Sequence, residues 1–74
     1  MKRAEALAVM HEILNALQES VLMDSVSFDT HNKGYDIKIK CQLGRDSRNS
    51  LQHILEKHGL RMKEEEGYVI IAKL

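Results

Sequence analysis

The sequence predicts a small α+β domain, in which a four-stranded antiparallel sheet carries two helices on one face. Two segments have apolar residues at helical spacing, and four short segments have alternating or continuous apolar residues. Turn-forming residues separate these segments, and their order along the chain is α-β-β-α-β-β. Because two cores in 74 residues would each be too small to fold, we expect one domain over residues 1–74.

The first helix is predicted from about Arg3 to Ser20. A helical wheel separates its polar side chains from an apolar half, and neither Gly nor Pro interrupts the segment. We expect the apolar half to pack on the sheet. It consists of Ala6, Leu7, Val9, Met10, Ile13, Leu14, Ala16, Leu17 and Val21.

Two alternating segments, 24–30 and 35–43, predict the first β-hairpin. A four-residue turn between them pairs Phe28 with Ile37, and this register places the apolar side chains of both strands on one face. The outward side chains of the second strand then include Lys38 and Lys40. Its inward side chains are Tyr35, Ile37, Ile39, Cys41 and Leu43.

The second helix is predicted from about Asp46 to His58. Asp46 or Ser47 can cap its first N–H groups, and Gly59 can adopt the left-handed conformation that ends a helix. Its apolar stripe is narrow and consists of Leu51, Ile54 and Leu55.

The second hairpin is predicted from segments 60–64 and 68–74, joined by a three-residue turn that ends at Gly67. This turn aligns Met62 with Ile70. The same register assigns Arg61 and Lys63 to the outward face of their strand. The core residues of the last strand are then Tyr68, Ile70 and Ala72.

Val69 and Ile71 would therefore face outward, which is unusual for two β-branched residues in so small a domain. A central position of the strand, a dimer surface and a partner-binding groove are each compatible with this pattern, as is a monomer that tolerates the exposure. Small domains without disulfides or metals often associate to bury enough surface. We therefore predict a non-enzymatic interaction module, a homodimer or a complex with another protein, with Val69 and Ile71 in the protein interface.

Nucleic-acid binding is the alternative prediction. The chain has eleven basic and eleven acidic side chains, but residues 33–63 contain eight basic and only three acidic ones. A basic face of this kind can hold a phosphate backbone, although lysines on an exposed strand also simply favour solubility. The inward assignment of Phe28, Tyr35 and Tyr68 leaves no aromatic ring to stack on a base. The candidate anion-binding residues are Lys38, Lys40, Arg45, Arg48, Arg61 and Lys63.

The sequence offers little for catalysis or for metal binding. Cys41 is assigned to the core, and His58 lies on the apolar arc near the end of the second helix, so we interpret both as structural. His53 and His58 are five residues apart, which places them on opposite sides of a helix. We expect no catalytic residues, no metal and no cofactor. A site formed between protomers with His58 or Cys41 is a minor third possibility.

The predicted location is the cytoplasm. One cysteine allows no internal disulfide, which suits a reducing compartment. No run of 18 apolar residues could cross a bilayer, and the first residues do not resemble a signal peptide. We expect no membrane contact.

Overall fold

A computed structural model describes residues 1–17, 25–31, 34–41 and 43–73. Within these residues the four strands form one antiparallel sheet in the order β1-β2-β4-β3, and both helices pack on the same face of it. The predicted α+β class and element order are confirmed. The elements are α1 (Arg3–Ala16), β1 (Val26–His31), β2 (Gly34–Ile39), α2 (Arg45–His58), β3 (Leu60–Glu65) and β4 (Tyr68–Lys73).

Helix α1 packs on the sheet through side chains three or four residues apart. Ala6, Val9 and Ile13 are buried, and Leu17 continues the same stripe just beyond the helix. Leu7 belongs to the predicted apolar half but remains 38% exposed, because that half is wider than the contact with the sheet. The last predicted turn of the helix and Val21 lie outside the described residues.

The β1–β2 hairpin has the register that the alternation predicts. Phe28 lies opposite Ile37 and Thr30 opposite Tyr35. The chain start is joined to the same hairpin, since the Met1 amino nitrogen donates to the Tyr35 carbonyl oxygen at 3.0 Å and the Tyr35 N–H donates to the Met1 carbonyl oxygen at 2.8 Å. Gly34, with φ +122°, lies so close to the Met1 carbonyl that a side chain there would collide with it.

Helix α2 begins one residue earlier than predicted. Its N-cap is Gly44, so the expectation that Asp46 or Ser47 caps the helix is wrong. Asp46 lies in the first turn instead, where its carboxylate interacts favourably with the partial positive charge of the helix N-terminus. The predicted end is confirmed, because Gly59 is the C-cap and has the left-handed φ of +66°.

The β3–β4 hairpin differs from the prediction by one residue in the turn. Its strands are joined by two residues, Glu66 and Gly67, and Glu65 lies opposite Tyr68. Met62 therefore pairs with Ile71, whereas the predicted three-residue turn paired it with Ile70. The inward and outward assignments of β3 are unaffected, but every side chain of β4 changes face.

Val69 and Ile71 consequently belong to the core, and their predicted role as an outward protein interface is wrong. Ile71 is fully buried and Val69 is 6% exposed, whereas Ile70 and Ala72 are only half-buried on the opposite face. The cause is the position of β4 between β2 and β3. A central strand has neighbours on both sides, so both of its faces can be apolar, and periodicity alone does not identify the inner one.

The core lies between the helices and the inner face of the sheet. Ile37, Ile39 and Ile71 of the two central strands have no exposed surface. From the helices, Val9, Ile13, Leu51 and Leu55 are likewise fully buried against them. No helix in the described part of the chain is long and apolar enough to cross a membrane.

The adjacent isoleucines of β4 provide a direct test of this arrangement. We expect Ile71→Ala to lower the free energy of unfolding by about 3 kcal/mol, because it opens a cavity in the core. Ile70→Ala, on the opposite face, should cost only about 1 kcal/mol. Urea denaturation of the two variants measures both values. If Ile70→Ala proved the more damaging, the face assignment of β4 would be wrong.

Candidate ligand-binding face of the sheet

The face of the sheet turned away from both helices is the candidate functional surface, and we call it the open face. Strand alternation opposite the buried residues defines its members, and cross-strand pairs place them in rows. Its side chains are Ser27, Asp29, Asp36, Lys38, Lys40, Arg61, Lys63, Glu65, Tyr68, Ile70 and Ala72.

Cations lie on both sides of β4 on this face. Ile70 is directly opposite Lys38 of β2 and Lys63 of β3, so one row across the sheet reads Lys-Ile-Lys. In the next row Arg61 lies opposite Ala72. The outward position predicted for the strand cations is confirmed, although β2 and β3 are not neighbours and β4 separates them.

Tyr68 also lies on the open face, so the expectation that no aromatic residue is present there is wrong. Its ring is half-buried, and the Nζ atom of Lys38 lies 4.3 Å from the ring centroid. This is a cation–π contact at an accessible site. The incorrect assignment has the same cause as that of Val69, since it follows from the shifted register of β4. Phe28 and Tyr35 are on the helix-covered face as predicted, with ring centroids 6.0 Å apart.

The acidic side chains of the open face are mostly engaged by neighbouring bases. Glu65 Oε1 lies 3.1 Å from Lys63 Nζ, and Asp36 Oδ1 lies 2.9 Å from His31 Nε2. Lys40 and Arg61 are exposed, and neither forms an ion pair with any described residue. These two cations are therefore the ones most available to an external anion.

The open face is slightly concave along β3 and β4. A shallow depression of about 560 Å³ lies between the central apolar residues and the surrounding charges. Ile70 and Ala72 form its floor, with Arg61 and Lys63 on one side and Asp36 on the other. A broad, mostly polar depression accommodates an extended polymer or a protein surface better than it encloses a small apolar ligand.

Arg45 and Arg48 are not part of the open face. Both belong to the first turn of α2, in the helical layer, and Arg48 Nε lies 3.2 Å from Glu64 Oε1. Arg48 lines a second depression, of about 330 Å³, at the turn end of the β3–β4 hairpin, and Tyr68 borders it as well. The structure thus separates the six predicted anion-binding residues into four on the sheet and two near its edge.

Cys41 and His58 lie in different environments. Cys41 is half-buried, and burial raises the pKa of its thiol, which disfavours the nucleophilic thiolate. The Nε2 atom of His58 lies 3.1 Å from Glu12 Oε1, and Lys57 Nζ lies 3.2 Å from the other oxygen of the same carboxylate. His58 and Lys57 therefore join α2 to α1 through Glu12. Within the described residues, no group of three or more His, Cys, Asp or Glu side chains is arranged to hold a metal ion.

Comparison with protein families, with curated proteins and with solved structures gives no match for this chain. The function is therefore inferred from the arrangement of the side chains alone.

The contact between the helices predicts a pH-dependent stability. The hydrogen bond with His58, and then that with Lys57, lowers the pKa of Glu12 below its ordinary value of 4.5. A carboxyl group whose pKa is lowered by folding stabilises the folded state above the unfolded pKa, and this contribution is lost as the pH falls through the folded pKa. We expect Glu12→Gln to be less stable than the wild type at pH 7, with a difference that shrinks below pH 4.5.

Thermal unfolding of both proteins between pH 3 and 7 measures this difference. Glu56→Gln is the matched control, because Glu56 is exposed on α2 and forms no ion pair with the described residues. A destabilisation by Glu12→Gln that is the same at every pH would show that the charge of Glu12 does not contribute.

Proposed function

We propose that this chain is a non-enzymatic binding module that holds nucleic acid on the open face. One observation carries the proposal: cations from both neighbouring strands flank a central strand whose outward side chains are Tyr68, Ile70 and Ala72. Phosphates bind to Lys and Arg, and exposed bases contact apolar and aromatic groups. The open face presents both kinds of group side by side.

The local charge supports this ligand although the whole chain is neutral. With Glu65 paired to Lys63 and Asp36 to His31, the charges left without an internal partner are mainly positive. Electrostatic attraction acts over about one Debye length, roughly 8–10 Å at moderate salt, so the nearby charges matter more than the total.

Neither Cys41 nor His58 contributes to the open face, which supports a binding role over a catalytic one. As the single cysteine, Cys41 needs no oxidising compartment. We accordingly propose a cytoplasmic location.

Removing the two available cations tests the proposal. We expect the double variant Lys40→Gln with Arg61→Gln to bind an oligonucleotide roughly tenfold more weakly at low salt, because phosphate contacts are lost. The logarithm of the affinity should also depend less steeply on the logarithm of the salt concentration, by about 0.7 for each lost contact with a single strand. Fluorescence anisotropy of a labelled oligonucleotide measures both quantities.

The control is Lys2→Gln with Arg3→Gln, which removes the same charge from exposed positions at the start of α1. It should retain nearly all of the affinity. Equal losses in the two double variants would mean that net charge, and not the open face, determines binding.

Self-association is the second candidate function. The half-buried Ile70 and Ala72 at the centre of the open face favour it, because a second copy could cover them while Asp36 and Arg61 exchange partners across a two-fold axis. Against a tight dimer, Leu7 is the only large hydrophobic residue of the described chain that is clearly exposed, and it lies on α1. Stable homodimer interfaces usually expose a larger apolar patch when they are separated.

Sedimentation equilibrium distinguishes the two candidates. A homodimer has about twice the chain mass of 8.5 kDa, and Ile70→Lys should convert it to a monomer by placing a charge in the contact. Leu7→Lys makes the same change on α1 and should leave the dimer intact. A wild-type monomer at several hundred micromolar would exclude this candidate and leave nucleic acid as the ligand.

A further inference from the structure

We infer that the nucleic acid held by the open face is single-stranded, and that Tyr68 is the platform on which one of its bases stacks. This inference rests on the proposed function and adds the form of the ligand and the residue that contacts its bases. It comes from the position of Tyr68, the one aromatic side chain among the described residues of the open face.

The contact of Lys38 with Tyr68 shows how a base can be accommodated. A flexible lysine side chain covers one face of the ring, with Nζ 4.3 Å from its centroid. A planar base stacks on an aromatic ring at a similar distance, and stacking is the stronger interaction at an exposed site. When a base replaces Lys38 on the ring, the ammonium group is released next to the incoming strand and can contact its phosphate.

The surrounding charges indicate where the backbone of the strand lies. Glu65 is directly opposite Tyr68 on the β3 side, where it repels phosphates. On the β2 side are Lys38 and the exposed Lys40. The backbone should therefore follow β2 while the base reaches across to the ring on β4, since adjacent strands are only about 4.8 Å apart.

A duplex cannot make this contact, because its bases are stacked on one another and their faces are hidden. A single strand exposes the faces of its bases, and stacking on aromatic residues is tolerant of sequence. The open face therefore favours an unpaired strand, with little preference among bases.

Tyrosine fluorescence provides a specific test. The chain has two tyrosines and no tryptophan, so Tyr35→Phe leaves Tyr68 as the only strong fluorophore. In this background, we expect an oligothymidylate of about 12 nucleotides to quench the emission as it binds. An abasic oligonucleotide of the same length should bind about tenfold more weakly and cause little quenching, because it supplies phosphates without bases.

A double-mutant comparison isolates the stacking contribution. In the otherwise wild-type chain, Tyr68→Ser should lose about tenfold in affinity for oligothymidylate and almost nothing for the abasic strand. Tyr68→Phe keeps a stacking ring and should bind like the wild type, and a circular-dichroism spectrum of each variant checks its fold.

The outcomes separate this inference from the proposed function. Equal binding of the oligothymidylate and the abasic strand without quenching, but with loss in Lys40→Gln plus Arg61→Gln, would overturn stacking and leave the phosphate site in place. Tighter binding of a duplex than of the oligothymidylate would overturn the preference for a single strand. If none of the three oligonucleotides bound at low salt, both the inference and the proposed function would be rejected.

Discussion

The pairing of β2 with β4 is the contact on which the rest of the fold depends. In the described part of the chain it consists of three residue pairs, and it alone joins the two hairpins into one sheet. Ile37 lies opposite Ile71 at the centre of this contact, and neither side chain has exposed surface. Burying these two β-branched residues under both helices is favourable in free energy. This contact makes β4 a central strand and determines which of its faces is covered.

The open face is the other consequence of that pairing. Because β4 is apolar along most of its length, turning Val69 and Ile71 to the helices leaves Tyr68, Ile70 and Ala72 on the opposite side. The neighbouring strands have charged residues at their outward positions, so the apolar centre lies between rows of cations. The same alternation that completes the core thus produces a surface with both apolar and basic groups.

Stability and the candidate binding surface are largely separate in this arrangement. The fully buried side chains all lie between the sheet and the helices. Ion pairs such as Lys73 with Glu5, at 2.8 Å, and Arg48 with Glu64 connect the two layers at their rim, where solvent weakens them. The side chains of the open face contribute little to either, so their chemistry can suit a ligand without a large cost to folding.

The sequence by itself determined the order of the elements, the register of the first hairpin, the end of α2 at Gly59 and the outward position of the strand cations. Each of these segments has a single apolar face or one suitable turn residue, so local pattern is sufficient. The last strand has apolar residues at both parities, and Glu65-Glu66-Gly67 is compatible with a turn of either two or three residues. Only the tertiary structure decided between them, because the choice depends on which β4 side chains pack against Ile37 and the helices. That decision moved Val69 and Ile71 into the core and Tyr68 to the open face.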